Sequence, residues 1–96
     1  MFVVTVEFTI DPARWDDFLP LMLENAARSR SDELGCRQFD VCTDAMRPGL
    51  VFLYELYDDA AAFDAHLAAT HYQSFAATTK AMVTKRVISR WERREG

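Results

Sequence analysis

The sequence predicts an α+β domain built on a four-stranded antiparallel sheet with helices on one face. Three observations predict it. Apart from Val3, apolar and polar residues alternate from Phe2 to Ile10, the period-2 mark of a half-buried strand. The period then changes to three- and four-residue steps from Trp15 onward, the stripe of an amphipathic helix. Two further alternating runs, split by Pro48-Gly49, precede a second helical stretch and a last alternating segment.

The elements follow in order. Phe2, Val4, Val6, Phe8 and Ile10 share one face of the first strand, with Thr5, Glu7 and Thr9 opposite. Asp11-Pro12 supplies an N-cap followed by the residue favoured at the first helical position. Trp15, Phe18, Leu19, Met22, Leu23 and Ala26 carry the stripe of the first helix, in which Pro20 removes one backbone bond and predicts a bend. Residues 36–43 form a second strand, residues 45–49 a turn, and residues 50–57 a third strand. In that third strand Leu50, Phe52, Tyr54 and Leu56 face one way and Val51, Leu53, Glu55 and Tyr57 the other. Both faces are largely apolar, so both are expected to be covered. Asp58 and Asp59 cap a short helix carrying Phe63, His66 and Leu67. Thr70 is the expected cap of the next helix, whose stripe is Tyr72, Phe75, Ala76, Thr79, Met82 and Val83. The last strand is expected at 85–93. A βαββαβ order with this alternation is the ferredoxin-like signature. Right-handed crossovers put both helical segments on one side, leaving the other sheet face for a second copy of the chain.

Ninety-six residues suit one domain, 1–96, too short for two cores. Half the residues are apolar, which excludes a disordered chain. The net charge of −4 argues against nucleic acid as the main partner. The basic concentration Lys85, Arg86, Arg90, Arg93 and Arg94 reads either as a solvated strand and tail or as a docking point for an anionic group. The Met1 segment lacks a secretory pattern, and no apolar run approaches the ~20 residues of a membrane helix. Cys36 and Cys42, six apart on one strand, are out of each other's reach and read as free buried thiols. These features predict a cytoplasmic protein without a membrane partner.

The only histidines, His66 and His71, fall in one short stretch. His66 shares the buried face of its helix with Phe63. It reads either as a core histidine bonded to a carbonyl or as a general base facing a pocket, since imidazole titrates near neutrality. His71 sits in the first turn of the next helix, as a capping residue or as a second polar group of the same cavity. Their spacing is not that of a helical zinc site and no other Cys or His completes a ligand set, so no metal is expected. Glu55 is costly on so apolar a strand unless paired. Its expected partners are a histidine, a tyrosine hydroxyl or a last-strand arginine. Tyr57 reads as core or as a donor to a substrate oxygen. Asn25 reads as an exposed helix residue or as an amide that holds an oxyanion. Arg28 reads as complementing the helix dipole or binding substrate. Phosphate-binding glycine loops and a Ser-His-Asp pattern are absent.

The runs Gly35-Cys36-Arg37-Gln38-Phe39-Asp40-Val41 and Phe52-Leu53-Tyr54-Glu55-Leu56-Tyr57-Asp58, followed by Phe63, His66, Thr70-His71-Tyr72 and Phe75, keep their order and spacing over nearly the whole chain. Together they resemble the antibiotic-biosynthesis-monooxygenase family, including its quinol monooxygenases. The chain is also similar to the branch that isomerises phosphorylated autoinducer-2 breakdown intermediates. One local departure is Glu33-Leu34-Gly35, where many relatives have Glu-Pro-Gly. The resemblance implies a homodimer with facing sheets, a dimeric α/β barrel. It implies a pocket in each subunit between sheet and helices, and no metal or organic cofactor. By position it makes His66, Tyr57, Asn25, Glu55 and His71 the polar groups of that pocket, with Phe39, Phe63, Tyr72 and Phe75 as its walls. The expected activity is cofactor-independent monooxygenation of a small phenol or hydroquinone. The alternatives are isomerisation of a phosphorylated hydroxy-ketone, with Arg28, Lys80 or Arg86 on the phosphate, or ligand binding without turnover.

Overall fold

The computed structural model describes residues 1–96. Its elements are β1 (Phe2–Ile10), α1 (Trp15–Asp32), β2 (Cys36–Thr43), β3 (Leu50–Tyr57), α2 (Ala60–Ala68), α3 (Thr70–Thr79) and β4 (Val83–Glu92). Single 3-10 turns at Pro12–Arg14 and Lys80–Met82 lead into α1 and out of α3. The sheet order is β2-β3-β1-β4, with every neighbouring pair antiparallel. This is the ferredoxin-like α+β fold, and the first three strands have the bounds that alternation gives them.

The sheet face towards the helices carries the core. Val4, Val6, Phe8 and Ile10 of β1 and Val51, Leu53 and Tyr57 of β3 are buried there against Phe18, Met22 and Ala26 of α1 and Phe63 of α2. Asp11 accepts from the Ala13 amide at 3.0 Å and so caps the 3-10 turn Pro12–Arg14, while α1 itself starts at Trp15 without a side-chain cap. Pro20 lies within an uninterrupted α1. Its exposed position lets the missing N–H fall on the solvent side of the helix.

Several expectations are corrected. Leu23 is half exposed, and the buried stripe of α1 runs instead through Phe18, Met22, Asn25, Ala26 and Ser29. Thr70 caps nothing; Ala69, extended at φ −67° and ψ 140°, separates α2 from α3. Met82 belongs to the 3-10 turn and Val83 to β4, because α3 ends at Thr79. Cys42 is exposed, since it falls on the sheet face away from the helices; Cys36 is buried.

That second face is only partly covered within one chain. Val3 and Leu56 are buried on it, while Phe52, Val87 and Trp91 are 37%, 42% and 56% exposed. No helix is long and apolar enough to cross a membrane.

Two close approaches set the helix positions. Gly35 lies so near Ala62 of α2 that any Cβ there would collide with it. The Arg30 guanidinium donates to the Phe39 carbonyl at 2.7 Å, tying the end of α1 to β2.

Candidate active site

The stripe of α1 continues past its apolar part into polar residues. Asn25 and Ser29, four residues apart, stack on one face of α1, and Glu33, the extended residue just past the helix end, follows at the same step. That face meets the junction of α2 and α3, where the two histidines lie. Glu33 Oε2 is 2.8 Å from His66 Nδ1 and 2.6 Å from His71 Nε2. Ser29 Oγ donates to the Asn25 carbonyl at 2.9 Å, and sits 3.4 Å and 3.3 Å from the same two nitrogens.

These contacts assign the protons. A carboxylate only accepts, and the Ser29 hydrogen is committed to a carbonyl. Both imidazole nitrogens facing them therefore carry hydrogen. The neutral His66 ring then has its lone pair on Nε2, which has no hydrogen-bond partner in the protein. Burial pulls the His66 pKa below its ordinary 6.5, opposed by the bond to Glu33. The ring is thus neutral and basic at physiological pH.

His66 is buried among aromatic rings. The centroids of Tyr72, Tyr57, Phe39 and Phe63 lie 4.9, 5.6, 5.8 and 6.1 Å from its own. Between sheet and helices is a mostly apolar cavity of about 30 Å³, whose wall includes Asn25, Phe39, Glu55, Phe63, His66, Tyr72 and Phe75. It has room for a water or two, at ~10–15 Å³ each. An aromatic ring enters only if a wall moves.

Glu55 and Tyr57 share the cavity side of β3, but only Glu55 reaches the wall. Tyr57 is fully buried behind it and donates its hydroxyl to Glu55 Oε1 at 2.6 Å. Glu55 therefore pairs with the tyrosine rather than with a last-strand arginine. Burial pushes the Glu55 carboxyl up to about 7, against the Tyr57 hydrogen bond that lowers it. The Tyr57 phenol is raised by the same burial and by the adjacent carboxylate. Asn25 is buried, with its side-chain oxygen unpartnered. Cys36 is pushed up to about 11 by burial, which keeps it a thiol and not a nucleophile.

His71 and Arg28 stand elsewhere. Both line an outer cleft of about 240 Å³ between α1 and α3, and Arg28 is bound to Asp32 at 2.8 Å. Asn25 and Phe75 border both this cleft and the inner cavity. Glu33 and Ser29 are the residues that sequence reasoning missed, although the four-residue steps from Asn25 were the available signal.

The donor atoms of Glu33, His66 and His71 lie within 4.8 Å of one another, and Glu33 completes a set that no further Cys or His supplies. Two imidazoles and a carboxylate suit a divalent transition metal. The 2.6 and 2.8 Å separations are lengths of shared N–H···O contacts. Donors held at ~2.0–2.1 Å by one tetrahedral ion stand ~3.3 Å apart.

A family model described as antibiotic biosynthesis monooxygenase matches residues 1–78. The chain belongs to this family. A solved antibiotic biosynthesis monooxygenase is 26% identical, covering 97% of this chain and 98% of its own, with a TM-score of 0.90. A structure from Mycobacterium tuberculosis is 23% identical over 99% and 96% of the two chains, with a TM-score of 0.91. One from Pseudomonas aeruginosa is 24% identical over 96% and 92%, with a TM-score of 0.89. No functionally curated protein matches. Family membership supports a monooxygenase-like role in general terms, and the last two likenesses speak for the fold alone.

Proposed function

We propose that the protein is a cofactor-independent monooxygenase acting on a small phenol or hydroquinone. The observation that carries this reading is the His66 imidazole: Nδ1–H held by Glu33, Nε2 unpartnered, in a cavity walled by aromatic rings. Such a base takes the phenolic proton on Nε2, and Glu33 stabilises the imidazolium formed, as the carboxylate does in a hydrolase triad. The electron-rich anion passes one electron to dioxygen, and recombination of the pair forms a carbon–oxygen bond to a ring carbon. His66 returns its proton to the distal oxygen, giving a hydroperoxide on a ring carbon that still bears hydrogen. Loss of that ring proton as the O–O bond breaks expels hydroxide and leaves the quinone, and the ring proton joins the hydroxide as water. One mole of phenol and one of dioxygen thus yield one of quinone and one of water, with both electron pairs supplied by the substrate. Glu55 and Asn25 border the same cavity and in this reading hold a second hydroxyl.

The active form in this reading is a homodimer joined through the half-covered sheet face. Phe52, Val87 and Trp91 are the apolar surface a second copy would bury.

Oxygen uptake by metal-free protein over a panel of phenols and hydroquinones, with ¹⁸O₂ incorporation into the product, tests the reaction. One labelled oxygen per quinone is expected, with turnover lost in His66→Ala. Absence of uptake across the panel refutes it.

A further inference from the structure

The basic residues singled out in the sequence have no part in the chemistry above. Lys80, Lys85 and Arg86 border one cleft of about 430 Å³ between α3 and β4, and no acidic residue lines it. None of the three takes part in an ion pair, in a chain whose net charge is −4. The opposite wall is aromatic: Phe8, Tyr72 and Phe75. These three and Arg86 also line the inner cavity that holds His66. Arg86 stands across from Phe8 in the β1–β4 register, on the helix-covered side of the sheet. The cleft and the cavity are thus separated by side chains they share. Tyr72 and Phe75 are half-buried, on a helix joined to α2 by a single extended residue.

We propose that this cleft is the substrate entrance and that it selects an anionic aromatic, a phenol whose ring bears an arm ending in a carboxylate or phosphate. The ring displaces Tyr72 and Phe75 to reach His66, and the anionic end stays at Lys80, Lys85 and Arg86. The volume is in the ~300–1,000 Å³ range of small-molecule sites, and the inner cavity alone holds no ring. Unpaired cations on a half-apolar wall match such a ligand at both ends. This substrate class rests on the oxygenase reading, and binding tests it separately from turnover.

The probes are 3-(4-hydroxyphenyl)propionate, its methyl ester and 4-hydroxyphenethyl phosphate, titrated calorimetrically into the full chain. At low salt an anionic probe is expected to bind about tenfold tighter than the ester, the sum of a few weak charge contacts. The preference should shrink in about 0.5 M salt as screening grows. It should also fall towards unity in the triple variant Lys80→Gln, Lys85→Gln, Arg86→Gln. Whichever of carboxylate and phosphate binds tighter identifies the anionic end. Equal binding of all three probes by wild type, or an anion-to-ester ratio unaltered by the triple variant, overturns the inference. Anion preference without oxygen uptake on matched hydroquinones leaves this site standing and removes the oxygenase. Uptake on neutral hydroquinones without anion preference does the reverse, and no binding by any probe removes the anion site.

Discussion

Glu55→Gln should make the protein markedly more stable in alkaline solution and hardly change it in acid. Glu55 is 3% exposed and its carboxyl is shifted from an ordinary 4.5 up to about 7, chiefly by burial. A raised acid pKa means that the folded state holds a proton which the unfolded chain has already released between those two values. Stability therefore falls as pH rises from 4.5 to about 7, and the loss is complete above that. Every tenfold change in proton affinity is worth ~1.4 kcal/mol, so the loss is about 3 kcal/mol. Glutamine is the neutral form made permanent. Its amide oxygen still accepts from the Tyr57 hydroxyl, so the bond across β3 survives.

The assay is urea unfolding of wild type and Glu55→Gln at pH 4, 6 and 8. Titrating groups that Glu55 does not influence contribute equally to both proteins and cancel in the difference, and Tyr57 and Cys36, which it does influence, are raised and stay protonated over this range. His66 is among the groups that cancel: its lowered pKa makes the unfolded state bind more protons below pH 6.5, so its contribution runs the other way, with stability lost as pH falls. The Gln-minus-Glu difference should grow by about 3 kcal/mol from pH 4 to pH 8. A difference that stays flat would show that Glu55 ionises normally, and the picture of a desolvated carboxyl on the cavity wall would be wrong.

Glu33→Gln should cost about 10²–10⁴ in kcat, the range for losing an oriented base, because an amide facing Nδ1 favours the tautomer with hydrogen on Nε2. Histidine ¹⁵N shifts read the tautomer directly, and an unchanged Nδ1–H with near wild-type turnover would contradict the role given to Glu33. Gly35→Ala should destabilise by about 1–3 kcal/mol, since its Cβ meets Ala62 and pushes α2 away from β2. The same push separates Glu33 from His66, so turnover should fall at temperatures where the variant is still folded; full activity there would refute the link. Trp91→Glu places a charge on the half-covered sheet face and should convert a dimer to a monomer in sedimentation. A wild-type chain that already sediments as a monomer at high concentration would refute the dimer.

The strands were legible because a period of two admits one reading, and β1, β2 and β3 begin and end where the alternation does. The end of α3 was not. Met82 and Val83 continue the helical spacing as residue types, but the chain turns at Lys80 because Val83 can pair with Ile10 and extend β4. The cavity walls Phe39, Phe63, Tyr72 and Phe75 were legible as apolar positions of known elements. Glu33 was missed although it stands four residues past Ser29, because it follows the last residue of α1, where a helical pattern is expected to stop. Its role exists only when α1 and the α2–α3 junction come together in space. Tyr57, legible as a cavity-side position of β3, gives its hydroxyl to its neighbour Glu55 while its ring packs 5.6 Å from the His66 ring.

The break between α2 and α3 explains why two histidines five residues apart can serve one carboxylate. On a continuous helix five residues turn the chain about 140° beyond a full revolution, and the imidazoles would face different sides. The extended backbone at Ala69 resets that rotation, so His66 in the last turn of α2 and His71 in the first turn of α3 both reach Glu33. The arrangement divides labour by exposure. His66 is sealed in the aromatic cavity, where desolvation favours a neutral base, while His71 borders the open cleft beside α1. A helix that ran unbroken from Ala60 to Thr79 would keep the aromatic wall but lose the shared carboxylate.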